Sequence, residues 1–193
     1  MLKPLLRIKK TRRKINMELK MSKLIFLNGA INCGKTTIGK QIVEKCDNVA
    51  FVEIDDLHAF IPWMSIEQAV PLNIKNGINV SKNFIKENID VIFLYPLSDT
   101  DFDYVKGLID FECQIECITL YCELHENIKN RGKRKLSEYE INRIKWMHEN
   151  GLAKPNFSTI VDTTNKSINE VVEHLISKLE LKRKNAKARA EKE

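Results

Sequence analysis

Hydrophobic positions along the chain follow two periods in alternation. Short, nearly continuous apolar runs occur at 23–28 (KLIFLN), 49–54 (VAFVEI), 90–95 (DVIFLY), 115–121 (IECITLY) and 158–162 (STIVD). Runs of this length and β-branched content read as strands buried on both faces. Between them the apolar residues recur at helical spacing: Ile38, Ile42, Val43 and Cys46; Phe102, Val105 and Ile109; Ile141, Ile144, Trp146 and Met147; and a last stripe of Ile168, Val171, Val172, Leu175, Ile176 and Leu179. Strands alternating with helices predict an α/β fold: a three-layer sandwich built on a five-stranded parallel sheet.

Punctuation residues sharpen the boundaries. Ser65 with Gln68, Ser137 with Glu140 and Ser167 with Glu170 have capping-box spacing, and Asp99 is expected to cap the helix that carries Phe102. Gly151 ends the helix before the fifth strand. Pro71 and Gly77 are expected to break the helical region between Ser65 and Asn88 into pieces. No internal repeat is visible.

Charge divides the chain further. Of 193 residues, 43% are hydrophobic and 30% charged, and the formal net charge is +6. Residues 1–23 carry nine Lys+Arg against one acid, and residues 178–193 carry seven against three. Residues 24–177 therefore hold 16 basic and 22 acidic side chains, so the body is acidic and the basicity belongs to the extensions. The organisation expected is a basic leader (1–22), a folded domain (23–181) and a charged tail (182–193), with the terminal LKRKNAKARAEKE as a solvated continuation of the last helix. An acidic body speaks against a general nucleic-acid-binding face, leaving such contact to the basic tails. Apolar runs this short exclude membrane insertion. Five unpaired-looking cysteines suit reduced thiols and a cytoplasmic setting. A zinc cluster of Cys113, Cys117, Cys122 and His125 is disfavoured, because alternation along a strand would scatter the ligands.

The strongest chemical signal lies between the first strand and the first helix. Gly29-Ala30-Ile31-Asn32-Cys33-Gly34-Lys35-Thr36 is a complete G-x-x-x-x-G-K-[ST] loop. Glycines let the backbone curl so that successive N–H groups face phosphate oxygens, with the positive end of the following helix behind them. Lys35 is expected on the β and γ phosphates of a nucleotide, and the Thr36 hydroxyl on Mg²⁺. The loop implies nucleotide binding without choosing a reaction, since one cradle serves many chemistries.

Other residues narrow the choice. The second strand delivers Asp55 and Asp56 to the carboxyl edge of the sheet, where ligands of open α/β folds sit. A carboxylate there can hold Mg²⁺ or take the proton of an acceptor hydroxyl; alternatively one of the pair, Asp56 more readily than Asp55, only caps a turn. No Arg occurs between Arg13 and Arg131, after which Arg131, Lys133, Arg134, Lys135 and Arg143 fall within thirteen positions. Such a run is a solvated helix face or a lid whose Arg131 and Arg134 close over the phosphates. His58-Ala59-Phe60-Ile61-Pro62-Trp63-Met64 is aromatic and nearly neutral; it either packs a helix on the sheet or faces a neutral, partly apolar alcohol.

Taken together, these blocks resemble a small P-loop kinase of the shikimate and gluconate kinase type, and most closely the chloramphenicol phosphotransferase-like family, over about residues 24–177. The resemblance rests on IFLNGAINCGKTT, which carries the loop through Thr37; on IDDLHAFIP; on RGKR; and on VDTTNKSINEV, in that order. It implies a P-loop fold with a small helical lid, ATP and Mg²⁺ as cofactors, and a small-molecule hydroxyl as acceptor. It further implies Asp55 as general base, Arg131 and Arg134 as lid arginines, Thr37 as a nucleotide contact, and Thr163, Thr164 and Asn165 beside the adenine. The chain departs from shikimate kinases in having LYPLSDTD after the third strand in place of a Gly-rich loop, and in lacking early arginines for a substrate carboxylate. An anionic acceptor would depend on Lys75, Lys82 or His58. A shikimate- or nucleoside-type kinase, a slow NTPase module acting on a partner, and a tail-guided RNA 5′-end kinase are the competing readings.

Overall fold

The protein is described by a computed structural model covering residues 21–132 and 134–185. The expected leader up to residue 20, Lys133, and the tail from residue 186 lie outside the described residues.

Five apolar runs become five strands: β1 (Lys23–Gly29), β2 (Val49–Glu53), β3 (Asp90–Leu94), β4 (Gln114–Tyr121) and β5 (Thr159–Asp162). They form one sheet in the order β2-β3-β1-β4-β5, with every pairing parallel. Parallel neighbours require crossovers, and the helices supply them: α1 (Lys35–Lys45), α2 (Ile66–Lys86), α3 (Asp99–Gly107), α4 (Leu124–Asn127), α5 (Glu138–Glu149) and α6 (Ile168–Lys178). A single 3₁₀ helix, Asp55–Phe60, joins β2 to α2. This is the α/β arrangement on a five-stranded parallel sheet that the hydrophobic pattern predicts.

Burial on both sheet faces explains the unbroken strand runs. Ile25, Leu27, Ile92, Ile118 and Leu120 pack beneath α1 and α6, while Leu24, Phe26, Val91 and Phe93 pack beneath α2 and α3. Because β1 lies between β3 and β4, the chain leaves it toward opposite sides, and a crevice opens at its carboxyl end.

The helix ends bear out two of the three capping boxes. Ser137 and Ser167 each accept from the backbone N–H three residues on, and Glu140 and Glu170 return the bond. Ser65 is the N-cap of α2 but makes no side-chain cap bond. A box absent from the expectations sits at Ser98 with Asp101, so Ser98 rather than Asp99 caps α3. Asp99 instead accepts from the backbone N–H groups of Asn156 (2.9 Å) and Phe157 (3.2 Å) and from Asn156 Nδ2 (3.0 Å).

Two expectations are corrected. α2 runs unbroken through Pro71 and Gly77. Proline removes only the bond to the Glu67 carbonyl, which lies in the exposed first turn where water can take its place. Gly77 is a packing residue: a Cβ there would come within 2.4 Å of Ile54 Cδ1 and 2.9 Å of Phe93 Cε2, so glycine lets α2 lie close on the sheet. The second correction is at the C-terminus. The last helix stops at Lys178, Glu180 turns at φ 50, and the chain folds back so that Leu181 is buried and Arg183 bridges Cys46. The N–H of Asp47 donates to Lys182 O (2.8 Å) and that of Lys184 to Lys45 O (2.9 Å), so residues 181–184 pack against the end of α1 in place of a solvated helix.

Candidate functional site

β1 ends at Gly29 and α1 starts at Lys35, and the intervening turn owes its shape to three positive-φ residues. Gly29 (φ 140), Asn32 (φ 65) and Gly34 (φ 91) curl the backbone into a concavity. Gly29 also has no room for a side chain, since a Cβ would lie 2.5 Å from Leu120 O and 2.7 Å from Cys33 Sγ. Gly34 is the N-cap of α1 and supplies no side-chain cap, so side chains leave the first amides of that helix open to a ligand. Lys35 Nζ donates to the carbonyls of Gly29 and Ala30, both at 2.9 Å, so the ammonium is held within the loop itself. Asn32 Nδ2 donates to Asn127 O (2.8 Å) and Lys129 O (3.0 Å), tying the loop to the segment after α4.

The loop forms one wall of a cleft of about 600 Å³. Ile31 through Ile38 line it, joined by Glu53 and Asp55 after β2, Leu94 and Pro96 after β3, Arg131, Gly132 and Arg134, and Thr163, Lys166, Ile168 and Val171 after β5. The structure thus gathers Asn32, Cys33, Gly34, Lys35, Thr36, Thr37, Asp55, Arg131, Arg134 and Thr163 around one space. Gly29 and Ala30 stand behind it and contribute carbonyls. Asp56 is exposed and does not line the cleft; neither do Thr164, which accepts from the Glu123 N–H (3.0 Å), and the exposed Asn165 (φ 57).

The carboxylate nearest the loop is one that the sequence reading passed over. Thr36 Oγ1 donates to Glu53 Oε1 at 2.6 Å, and Lys40 lies 4.0 Å from Glu53 Oε2. The available signal was position alone: Glu53 is the last residue of β2, at the carboxyl edge beside the loop, whereas Asp55 and Asp56 already belong to the 3₁₀ helix. Thr36 and Glu53 form an oxygen-only donor pair on one wall of the cleft, the chemistry Mg²⁺ prefers. These residues fit the metal that the loop implies.

Opposite the loop, Arg131 and Arg134 are exposed on a non-helical turn in which the two residues bridge each other. Arg131 Nη2 contacts Cys122 Sγ (3.3 Å), and Arg134 Nη2 donates to Glu140 Oε1 (2.8 Å). The backbone N–H of Ser137, then the Arg134 guanidinium, hold the Glu140 carboxyl down to about 2. Arg143 does not line the cleft; its guanidinium lies 4.2 Å over the Trp146 ring.

The rim beside Asp55 is fixed by a buried amide. Asn28 Oδ1 accepts from the Leu97 N–H (2.8 Å) while its Nδ2 donates to Leu97 O (3.1 Å) and Thr119 Oγ1 (3.3 Å), which clamps the turn carrying Tyr95 and Pro96. Burial, reinforced by the charges of Asp55 and Asp101 and opposed by Arg143, pushes the Tyr95 phenol up to about 12, so it stays protonated. Phe60 and Trp63, 81% and 78% exposed, do not pack a helix on the sheet. Of the cations considered for an anionic acceptor, Lys82 is engaged with Asp110 (2.6 Å).

No family model matches the chain, and no curated protein matches it. Solved structures share its fold. A tunicamycin resistance protein from Deinococcus radiodurans superimposes with a TM-score of 0.61 at 20% identity, over 85% of this chain and 99% of that one. A gluconokinase from Sinorhizobium meliloti 1021 gives 0.58 at 16% identity, over 83% and 93%. A shikimate kinase from Bacteroides thetaiotaomicron gives 0.53 at 17% identity, over 83% and 99%. The fold is that of small P-loop kinases. Among the described residues, no helix is long and apolar enough to cross a membrane.

Proposed function

We propose that the protein is an ATP-dependent phosphotransferase that moves the γ-phosphoryl group to a hydroxyl of a small molecule. The observation that carries this reading is the single cleft into which the phosphate loop, two carboxylates of the β2 end and two arginines converge. A binding module needs the loop alone, whereas transfer needs a carboxylate beside the acceptor and cations around the moving group.

Each residue then has a task. The curled amides of residues 31–36 and Lys35 bind the phosphates; Lys35 exchanges its two carbonyl partners for phosphate oxygens. Thr36 and Glu53 would hold Mg²⁺, which when bound neutralises phosphate charge. Asp55, at the acceptor end of the cleft, takes the hydroxyl proton as the acceptor oxygen bonds to the γ-phosphorus and the bond to the β–γ bridging oxygen breaks, leaving ADP. Arg131 and Arg134 approach the transferring group from the facing turn, and closure there excludes water. Thr163, with Lys166 and Ile168, stands where the base of the nucleotide would rest. The exposed Phe60 and Trp63 support a neutral or partly apolar alcohol as acceptor, as in the chloramphenicol phosphotransferase-like family.

Measuring ADP release from MgATP across a panel of hydroxyl metabolites and antibiotics tests the proposal. Acceptor-stimulated release that disappears in Lys35→Ala is the expected result. Acceptor-independent hydrolysis alone, unaffected by Asp55→Asn, would overturn it.

A further inference from the structure

α2 carries a buried polar residue that the packing of the helix does not explain. Its buried face reads Ala69, Asn73, Ile74, Gly77, Ile78 and Ser81. Ser81 Oγ is satisfied by the Gly77 carbonyl at 2.7 Å, but Asn73, only 3% exposed, has an Oδ1 with no hydrogen-bond partner. A buried amide oxygen left without a donor costs stability, and a leucine of similar shape at the same place would not.

Its location gives the orphan a meaning. α2 starts from the 3₁₀ helix at the carboxyl edge and descends to the start of β3, so its first turns stand nearest the cleft. Gly77 packs against Ile54 and Phe93, which lie just after the end of β2 and one residue before the end of β3. Asn73 lies one turn closer to that edge, about 6 Å further along the helix axis. Asp55 follows Ile54, and Tyr95 leaves β3 beside it, because the Ile54 N–H bonds to Leu94 O (3.2 Å). Leu57, Val70 and Tyr95 close the same apolar cluster around this point.

We propose that Asn73 is a specificity-determining contact of the acceptor site, its Oδ1 accepting a hydrogen bond from a second donor group of a non-anionic alcohol whose reactive hydroxyl lies at Asp55. The charges favour a non-anionic acceptor: Asp55 and Asp101 both act on Tyr95 against Arg143 alone, and the described part of the chain holds no arginine before Arg131. Access comes from the 3₁₀ helix, which packs on α2 yet has no buried residue of its own. So loosely anchored a cover opens at low cost. Tyr95, protonated, offers a complementary donor to the same molecule. The acceptor class is thus a non-anionic alcohol that carries at least one further hydroxyl, amide or amine donor.

The assignment rests on the transferase reading, and the test separates the two. The full chain, Asn73→Leu and Asn73→Ala are assayed for ADP release with probes that keep every hydroxyl and differ in charge: D-gluconamide against D-gluconate, and D-glucuronamide against D-glucuronate. We expect the non-anionic member of a pair to be preferred. Both variants should lose roughly tenfold or more in kcat/KM for it through acceptor KM, with the KM for ATP unchanged. Preference for the anionic member, or losses under twofold, would overturn the Asn73 contact while leaving the transferase reading intact. Silence of every probe despite MgATP binding counts against the transferase reading, and the contact falls with it. Thermal melting adds an arm that needs no acceptor: Asn73→Leu should melt at or above the wild-type temperature, and a drop of several degrees would show that Oδ1 is satisfied within the fold.

Discussion

The two halves of the cleft are built on opposite principles. On the phosphate side the backbone is held from every direction: Gly29 is pressed against Leu120, Lys35 is bound to two loop carbonyls, and Asn32 is tied to the segment after α4. On the side that the proposal gives to the acceptor, Asp55 lines the cleft from a 3₁₀ helix with no buried residue, and Phe60, Trp63 and Ile66 beyond it face outward. On the proposed reading the same phosphate chain is met at every turnover by fixed backbone dipoles, so preorganisation is favoured there. An acceptor must enter, be enclosed and leave, and a segment with few buried contacts opens at low cost. The same difference explains why one half is legible from a motif and the other is not.

Lys35→Ala is the sharpest way to break the comparison. Deleting the charge at the phosphates should lower transfer by about 10²–10³-fold or more, as removal of a preorganised electrostatic donor does, while melting stays close to wild type because Lys35 sits on the cleft wall. Near wild-type turnover would remove the phosphate side from the chemistry.

Next come the two carboxylates. Asp55→Asn keeps the shape and removes the base, so turnover should fall on the order of 10²-fold and stay low at saturating Mg²⁺. Glu53→Gln should instead raise the Mg²⁺ concentration needed for half-maximal rate, with much of the rate restored at high metal. Titrating Mg²⁺ for both variants, with Asp56→Asn as control, would show the reversed pattern if the roles were exchanged.

Gly29→Ala probes the rigid half through stability. The substitution adds strain at φ 140 and a Cβ 2.5 Å from a backbone oxygen, which should cost about 3 kcal/mol in chemical denaturation. On the other side, Phe60→Ser with Trp63→Ser should leave stability within about 0.5 kcal/mol, since both side chains are already exposed, and raise only acceptor KM. Equal losses in the two variants would erase the contrast.

The smallest effect is electrostatic. Glu140 has its carboxyl lowered to about 2, so its contribution is complete above the ordinary glutamate value near 4.5 and is lost as pH falls from there through about 2. The α5 cap and its tie to Arg134 should therefore loosen only in that acid window, and Glu140→Gln should flatten the acid limb of a pH–melting profile. Little change at neutral pH is expected, because the group is exposed.

Much of the architecture was legible from local rules. The five apolar runs, the α1 stripe, the α5 and α6 stripes apart from the exposed Trp146 and Ile168, and the boxes at Ser137 and Ser167 obey periodicity and capping, which act within a few residues. The loop Gly29–Thr36 was legible for the same reason. The site beyond it was read in part: Asp55, Arg131, Arg134 and Thr163 meet at the cleft, while Asp56, Thr164 and Asn165 fall outside its lining and Glu53 was passed over.

What the sequence determined by itself were features whose cause lies within one turn or one strand: the five strands, most helices, their order, the parallel sheet that alternation demands, and the loop Gly29–Thr36. Tertiary structure decided the rest. α2 continues through Pro71 because its opposite face is held on the sheet, where Gly77 admits Ile54 and Phe93. Glu53 becomes the partner of Thr36 because β2 and α1 meet across the edge, seventeen positions apart in sequence. Asn73 is buried with its Oδ1 unpaired because α2 lies against the sheet and the 3₁₀ helix, contacts that its own sequence neighbourhood does not encode. Each depends on distances between segments remote along the chain, and periodicity carries no information about those distances.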